Sequence, residues 1–398
     1  MSNFIKKILL LLILFFFMLF GYVSLVGIKT DNFNNLIKEE IKNKNKDISI
    51  QFEDIFVKLD LSSYSIKLQI DEPLIVFKDR NFQIRKISSN TSITSFFKKE
   101  NYINSISIIT NKNEIKDLIK FYRLFNDNLQ LLLLEKIINK GEITSNIKVN
   151  IDKNGKIKDN YLIEGNIENF ELNLLNGYFA RDLNFNFKIE KNNQLVENLK
   201  FKIDNNKFIS EEILFQSKKD EFLVKGNILS SATKFDKNII NTFFGNFNYN
   251  FDIDKFVFES KTEFDLKSKK KPLINSKLNK NFKFDDVNIS STLLINDFLY
   301  TSKIKNFNKY IVNSNENIFF KDQKIKIDYK NDKLIINNNG KFSFDKKNFD
   351  EINVDLIINN NILNFNINTN INNHNFAIPI LNYKKRDNVN ININGIYK

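Results

Sequence analysis

The sequence predicts a mainly β protein, in which an N-terminal transmembrane helix precedes an elongated antiparallel β-sheet groove, with one long helix near residues 113–139. Three observations lead to this prediction. The 21 residues between Lys7 and Lys29 carry no charge. After about residue 142, apolar and polar residues alternate, which is typical of amphipathic strands. Cysteine is absent and histidine occurs once, so the chain is poor in catalytic side chains.

The composition limits the class of protein. The 398 residues are 42% hydrophobic and 13% aromatic, with only three prolines and ten glycines, so the chain is too apolar for intrinsic disorder. The lack of cysteine excludes disulfides, thiolate nucleophiles and cysteine-based metal sites. The net charge is +13, but 47 acidic residues are interspersed among the basic ones and no basic run is longer than three residues, as in Lys269–Lys271. We therefore expect no nucleic-acid partner.

Residues 8–28 are predicted to be an uncleaved, single-pass transmembrane anchor. As a helix they reach about 31 Å, close to the thickness of a hydrocarbon core. A signal peptide would have a shorter apolar region and a small-residue cleavage site, and Tyr22–Gly27 is a poor one. Lys6 and Lys7 precede the anchor. The positive-inside rule therefore keeps residues 1–7 as a cytoplasmic tip and places the body across the membrane.

Two helices and a series of strands are predicted between the anchor and residue 141. A short helix falls in residues 29–47, and the region 48–141 begins with strands. A long helix over Glu114–Ile138 ends this region, because its apolar residues recur close to every 3.6 positions and Gly141 follows as a stop signal. We expect this helix to pack on the sheet as a core helix, with contact to a bilayer or a partner as the alternative.

Residues 142–398 are predicted to form a repetitive antiparallel sheet. Leu183–Ile189 and Leu199–Ile203 alternate cleanly, and Asp204–Lys207 is a hairpin turn. Residues 266–285 form the best candidate for a linker or long loop. The apolar face of such a sheet is buried in a closed barrel or a two-sheet sandwich, or it stays open as a groove that binds apolar cargo.

Candidate catalytic groups are few. His374, the only histidine, is expected in a turn between strands, and no cysteine or second histidine completes a metal site or a triad. Acidic neighbours such as Glu211 and Glu212 point to opposite faces of a strand. We therefore expect no enzyme activity, no cofactor and no metal.

Aromatic and aliphatic residues of the strands are the candidate lining of a lipid groove, with a plain core role as the alternative. These candidates are Leu183, Phe185, Phe187, Ile189, Phe201, Ile203, Phe342, Phe344, Phe365 and Ile367.

The segments Ile48–Leu61, Ser65–Phe77 and Phe82–Phe97 resemble the opening of the AsmA-like superfamily of bacterial envelope proteins, which includes the AsmA, YhdP and TamB types. The resemblance covers about residues 1–110 and includes a hydrophobic-x-Leu-Asp-Leu strand. It implies a β-taco groove related to bridge-like lipid transfer proteins, an inner-membrane anchor and a periplasmic body. It also implies phospholipid movement between the inner and outer membranes, with an outer-membrane or periplasmic partner at the C-terminal end.

The expected function is therefore to carry or shield phospholipid, or another acyl-chain lipid, during envelope maintenance. The main alternative is an assembly factor that pairs with outer-membrane proteins by strand addition. A third possibility is a closed sandwich or adhesin-like domain on a tether. Members of the family that span the envelope are usually much longer. We thus expect a shortened member, one half of a split system or an incomplete sequence.

Overall fold

The computed structural model describes residues 2–77, 80–93, 103–123, 129–174, 178–234, 257–269, 284–301, 317–359, 362–373, 377–378, 382–385 and 390–397. Strands make up 67% of the structure, which confirms the mainly β class, whereas the groove stays a prediction. The chain divides into two compact units. Unit 1 comprises Met1–Asn173 and Leu183–Gln194, and unit 2 comprises Leu174–Asp182 and Leu195–Lys398.

Unit 1 contains all four helices of the described residues. These are α1 (Ser2–Leu25), α2 (Asn34–Lys44), α3 (Ile115–Arg123) and α4 (Leu129–Ile137). Its strands are β1 (Ile28–Thr30), β2 (Ile48–Gln51), β3 (Ile55–Asp60), β4 (Ser65–Asp71), β5 (Leu74–Phe77), β6 (Arg80–Ser92), β7 (Ile103–Thr110), β8 (Asn113–Glu114), β9 (Ile138–Asn150) and β10 (Leu162–Asn173). The strands β11 (Phe179–Ile189) and β12 (Asn193–Ile203) contribute residues to both units.

The sheet of unit 1 is antiparallel throughout its printed pairings. Strand β1 pairs with β3, and the order continues through β4, β6, β7, β9 and β10. The first part of β6 pairs instead with β5, which pairs with β2. Helices α2 and α3 pack over this second group of strands, where Ile48, Phe77 and Phe82 form a buried cluster against Ile41 and Phe121.

Helix α1 is long and apolar enough to span a membrane. Its segment Lys7–Leu25 has a mean hydropathy of 2.8 and is not buried against the protein. The helix ends at Leu25, slightly before the predicted limit at residue 28, because Gly27 adopts a φ of 82° and Ile28 already pairs in β1.

The long helix predicted near 113–139 differs at both ends. Helices α3 and α4 lie within the range, and residues 124–128 between them are outside the described residues. Asn113 and Glu114 pair with β9 as β8, and Ile138 starts β9. The side-chain amide of Asn113 donates to the backbone oxygen of Gln83 at 3.0 Å, so a sheet contact fixes this segment as strand.

Unit 2 is a meander. Strands β13 to β20 pair antiparallel, each with the next, and β23 pairs with β20. The strands are β13 (Asn206–Ser217), β14 (Glu221–Lys234), β15 (Val257–Lys269), β16 (Asp286–Thr301), β17 (Asn317–Lys330), β18 (Lys333–Ser343), β19 (Asp350–Asn359), β20 (Ile362–Asn370) and β23 (Asn390–Tyr397). The strands β21 (Ala377–Ile378) and β22 (Tyr383–Lys384) form a separate small hairpin.

The predicted hairpin turn at Asp204–Lys207 is present as a two-residue turn between β12 and β13. The linker predicted over 266–285 is wrong for residues 266–269, which belong to β15. These residues form strand because β14 and β16 flank them, as in the pair of Leu266 with Val224 on β14. Residues 270–283 lie outside the described residues.

Several long strands carry a β-bulge. Ala232 in β14 and Asp322 in β17 have φ values of 53° and 52°, and the pairing register shifts at both places. An extra residue in one strand moves the following side chains to the opposite face. The apolar pattern therefore changes phase inside these strands.

Candidate functional site

The sheet of unit 2 has a face on which apolar side chains line up from strand to strand. Directly paired residues of neighbouring strands share a face, and alternate residues of one strand do so too. Three rows cross β16 to β20 and continue on β23. We call their aliphatic and aromatic members the apolar face: Ile289, Tyr329, Leu334, Ile358 and Leu363; Ile327, Ile336, Leu356 and Phe365; Leu293, Ile325, Val354, Ile367 and Ile393.

The apolar face is half-buried. Each of these residues has intermediate exposure except Ile393, which is 49% exposed. The first row ends on β23 at Tyr397, which pairs with Leu363 and is 71% exposed. The described part of unit 2 contains no helix that covers these rows. Their partial burial comes from neighbours within the same sheet, as where the Phe365 ring lies over Gly395 of β23.

The opposite face of the same strands is mainly polar, although one of its rows contains Ile335, Ile357 and Ile396. One row holds Lys324, Asn339, Asn353, Asn368 and Asn392 on consecutive strands. The amide of Asn339 donates to Asn353 Oδ1 at 2.6 Å. Polar side chains of neighbouring strands on this face are therefore joined by cross-strand hydrogen bonds, as also between Asn337 and Asp355.

Charged side chains on the polar face are also paired by hydrogen bonds and ion pairs. The Ser290 hydroxyl donates to Asp328 Oδ1 at 2.6 Å and, with Lys326 beside it, keeps the pKa of Asp328 below its ordinary value. On β14 and β15 the Lys225 ammonium lies 2.9 Å from the Asp265 carboxylate. The two faces of the sheet thus differ sharply in polarity.

Hydroxyl groups replace hydrocarbon where the rows of the apolar face continue onto β14 and β15. Ser230 and Ser260 lie 2.8 Å apart, and Thr262 and Ser291 lie 2.8 Å apart, measured between their hydroxyl oxygens. The rows are therefore most apolar on β17 to β20, where Asn338 of β18 nevertheless places an amide between Ile325 and Val354 in the third row.

One end of the rows is a closed core. Gln323 is 1% exposed and donates to the backbone oxygens of Lys321 and Lys341 at 2.8 and 2.7 Å. Its Oε1 accepts from the amide of Asn338 at 2.7 Å. Beyond it lies a buried cluster of Phe342, Phe344 and Ile371, with Ile318, Phe320, Ile352 and Ile391 packed against it. No space for a ligand remains inside this cluster.

The candidate lining residues separate into four groups. Phe365 and Ile367 belong to the apolar face, whereas Phe342 and Phe344 are each 5% exposed in the closed core. Phe201 is half-buried and stacks on Phe208 with ring centroids 5.1 Å apart, and Ile203 is half-buried. In unit 1, Leu183 is buried and the other three β11 candidates are half-buried: Phe185, Phe187 and Ile189.

Several members of the apolar face were not among the candidates drawn from the sequence, including Ile327, Ile336 and Leu356. Their strands show the same alternation as the chosen ones. Only the pairing register shows that they form one row with Phe365. The information that the sequence lacked was therefore which residues of neighbouring strands lie opposite each other.

Groups suited to chemistry do not converge among the described residues. No set of three histidine, cysteine or acidic side chains could hold a metal there. His374 lies outside the described residues. An open depression of about 680 Å³ in unit 1 is lined by mainly polar residues, Gln51, Phe52, Glu53, Asp71, Glu72 and Arg85.

Comparison of the chain with models of known protein families, with curated proteins and with solved structures gave no match. What defines the chain is therefore its own geometry: a membrane-spanning type of helix joined to antiparallel sheet, and a two-faced sheet in unit 2.

Proposed function

We propose that this protein is a membrane-anchored lipid-binding protein of AsmA-like type that carries or shields phospholipid between the inner and outer membranes. The apolar face of unit 2 is the observation that supports the proposal most directly. Its aliphatic and aromatic side chains stay half-exposed along six strands, and an apolar surface of this extent needs an apolar occupant. The protein acts by solvation and not by catalysis.

Acyl chains fit this surface physically. Six strands at a spacing of about 4.8 Å extend over about 24 Å, enough for an extended acyl chain to lie across them. Each methylene group removed from water contributes about 0.8 kcal/mol, so affinity requires no specific polar partner and no cofactor. The polar face remains in water and keeps the loaded protein soluble outside the bilayer.

The proposed location follows from α1 and its flanking charge. The helix has the length and hydropathy of a single membrane span, and Lys6 and Lys7 lie at its start. The positive-inside rule favours a cytoplasmic N-terminus and a periplasmic body. The resemblance to the AsmA-like superfamily supports the inner membrane as the site of the anchor.

A photo-crosslinking amino acid tests lipid contact in the full chain within its own membrane. Benzoylphenylalanine at position 365 probes the apolar face, and the same group at position 366, between the polar residues Asp355 and Asn394, probes the polar face one residue away. We expect phospholipid adducts by mass spectrometry at position 365 and none at 366, because neighbouring strand residues point to opposite faces. Equal yields at both positions would contradict the proposal.

A charge substitution gives the matching functional test. With the probe at Leu356, which pairs directly with Phe365, the substitution Phe365→Asp should lower the adduct yield by about tenfold, because an unpaired carboxylate is costly beside acyl chains. Asn366→Asp adds the same charge to the polar face and should leave the yield unchanged. Phe365→Gln replaces the aspartate if that variant does not fold.

Strand β23 favours the second candidate function, strand addition. It pairs with β20 along one side, and no described strand pairs with its other side. The strand lacks lysine and proline, and Ile396 and Tyr397 are 69% and 71% exposed. Such an edge can accept another strand. Protection of the β23 amides from hydrogen exchange by a strand peptide, unaffected by Phe365→Asp, would identify this function.

A further inference from the structure

The turn between β3 and β4 holds two large apolar side chains in solvent. Leu61 is 53% exposed and Tyr64 is 71% exposed. The turn has a defined conformation, because the backbone nitrogen and the hydroxyl of Ser62 both donate to Asp60 Oδ1, at 3.0 and 2.6 Å. Tyr64 has a φ of 48°, which is costly for a residue with a side chain. An ordered turn thus displays apolar groups.

The strand register places this turn on the same side as helix α1. Ile28, the first residue of β1, pairs with Val57 in the middle of β3. Because β1 and β3 are antiparallel, the residues that follow Val57 continue beyond Ile28, towards the end of α1. Helix α1 contacts β3, and Gly21, Val23 and Ser24 in its last turns are half-buried.

The junction between α1 and the sheet contains no free linker. The backbone nitrogens of Val26 and Gly27 both donate to the Tyr22 oxygen, at 2.8 and 3.2 Å, which closes the helix end. Gly27 lies against the Phe56 ring, where a Cβ would overlap it, and its φ is 82°. The end of the helix is therefore fixed in position relative to β3.

The distances bring the turn to the membrane surface. Leu61 follows Val57 by four residues, which corresponds to about 13 Å of strand. The headgroup layer on each side of a bilayer is only about 5–8 Å thick. Strand β3 runs this distance from Val57 towards α1, so its end reaches the headgroup layer even when the strand is tilted.

We propose that the β3–β4 turn lies in the headgroup layer of the bilayer that α1 spans, with Leu61 and Tyr64 as its membrane-contacting side chains. Tyrosine is enriched at this depth, because its ring is apolar and its hydroxyl remains hydrated. Asp60, Ser62 and Ser63 match the polar part of the same layer. The inference requires α1 to span a membrane and is independent of lipid binding by unit 2.

This contact fixes the orientation of unit 1 on the membrane. Leu59 and Ile66 form a cross-strand pair directly next to the turn, and Val57 pairs with Leu68 in the following row. The apolar rows of this sheet would therefore begin at the membrane surface. A single helix permits rotation about its axis, whereas a second contact removes that freedom.

The chain has no tryptophan, which makes a single introduced indole an unambiguous depth reporter. Tyr64→Trp reports on the turn. Tyr122→Trp is the matched control. Tyr122 is 53% exposed in α3, which comes after the end of β7, and this end of β7 pairs with the start of β6, away from the β3–β4 turn. The full-length variants are reconstituted in phosphatidylcholine–phosphatidylglycerol vesicles and recovered by flotation, with brominated acyl chains as quenchers.

We expect Tyr64→Trp to emit at shorter wavelength than Tyr122→Trp and to be quenched by brominated lipid, while Tyr122→Trp is not quenched. Bromines near the headgroup end should quench more strongly than bromines near the methyl end. Leu61→Trp repeats the test if Tyr64→Trp does not fold. Emission and quenching equal to those of Tyr122→Trp, or failure of the chain to float with the vesicles, would overturn the inference.

Discussion

Glycine lies against phenylalanine at several positions of the sheets. Gly226 pairs directly with Phe264, and Gly395 pairs directly with Phe365. In both pairs a Cβ on the glycine would meet the aromatic ring. A ring that lies over a glycine covers the backbone of the neighbouring strand and loses exposed area itself. This arrangement explains how a single sheet half-buries its own apolar side chains.

The substitution Gly226→Ala tests this packing at the residue scale. A Cβ would lie 2.9 Å from both the Phe264 ring and the Glu212 oxygen, so one of them must move. We expect the free energy of unfolding to fall by about 1–3 kcal/mol, the usual cost of overpacking. Denaturant unfolding of the full chain in detergent micelles, followed by circular dichroism, measures it.

Two further variants separate ring displacement from a general effect of alanine. Gly21→Ala in α1 should cost nothing, because no atom lies within 4 Å of the added Cβ. Gly226→Ala should cost less in a Phe264→Leu background than in the wild type, since the ring contact is then absent. Equal costs in the two backgrounds would show that the ring is not the obstacle.

The individual strands are the elements that the sequence predicted best. Leu183–Ile189 lies within β11, and Leu199–Ile203 lies within β12. Alternation is visible in these segments because a sheet with one polar and one apolar face requires it. The class of the fold and most strand positions therefore follow from local pattern alone.

The sequence could not predict, along a whole strand, which side chains lie on which face of the sheet. Gln323 lies over Gly340, and Phe320 pairs with Phe342, two residues further along β18. Gln323 and Phe320 thus share a face although they are three residues apart. The bulge at Asp322 causes this, and the sequence contains so many aspartate and asparagine residues that none of them marks a bulge. For the same reason the sequence could not decide between a groove role and the core role, named as its alternative, that Phe342 has in the structure.

The bulge in β17 predicts opposite effects for two substitutions of Asp322. Glycine adopts a φ of 52° without strain, so Asp322→Gly should keep or slightly raise the unfolding midpoint. Valine is branched at Cβ, and Asp322→Val should destabilise the chain by about 1–2 kcal/mol. A stabilising valine would mean that the bulge is not retained. Thermal unfolding of the three full-length proteins compares them directly.

At the scale of the molecule, the chain combines a helix that is long and apolar enough to span a membrane with sheet surfaces of two polarities. The hydropathy of helix α1 suits the interior of a bilayer, and the side chains of the apolar face of unit 2 suit contact with acyl chains. The polar face carries amide rows and ion pairs that suit water. A protein so built would bind lipid without giving up solubility, and its stability should then depend on lipid.

Phospholipid should therefore stabilise the full chain, because a ligand that binds only the folded state shifts the unfolding equilibrium. At a lipid concentration 100 times the dissociation constant the gain is about 2.7 kcal/mol. Unfolding midpoints in mixed micelles, with and without phospholipid, measure the gain. Part of it could come from lipid around α1, so the comparison that decides is between two variants. Phe365→Asp should lose most of the gain and Asn366→Asp should keep it, since α1 is the same in both. A gain of equal size in the two variants would assign the effect to the anchor and exclude the apolar face as the binding surface.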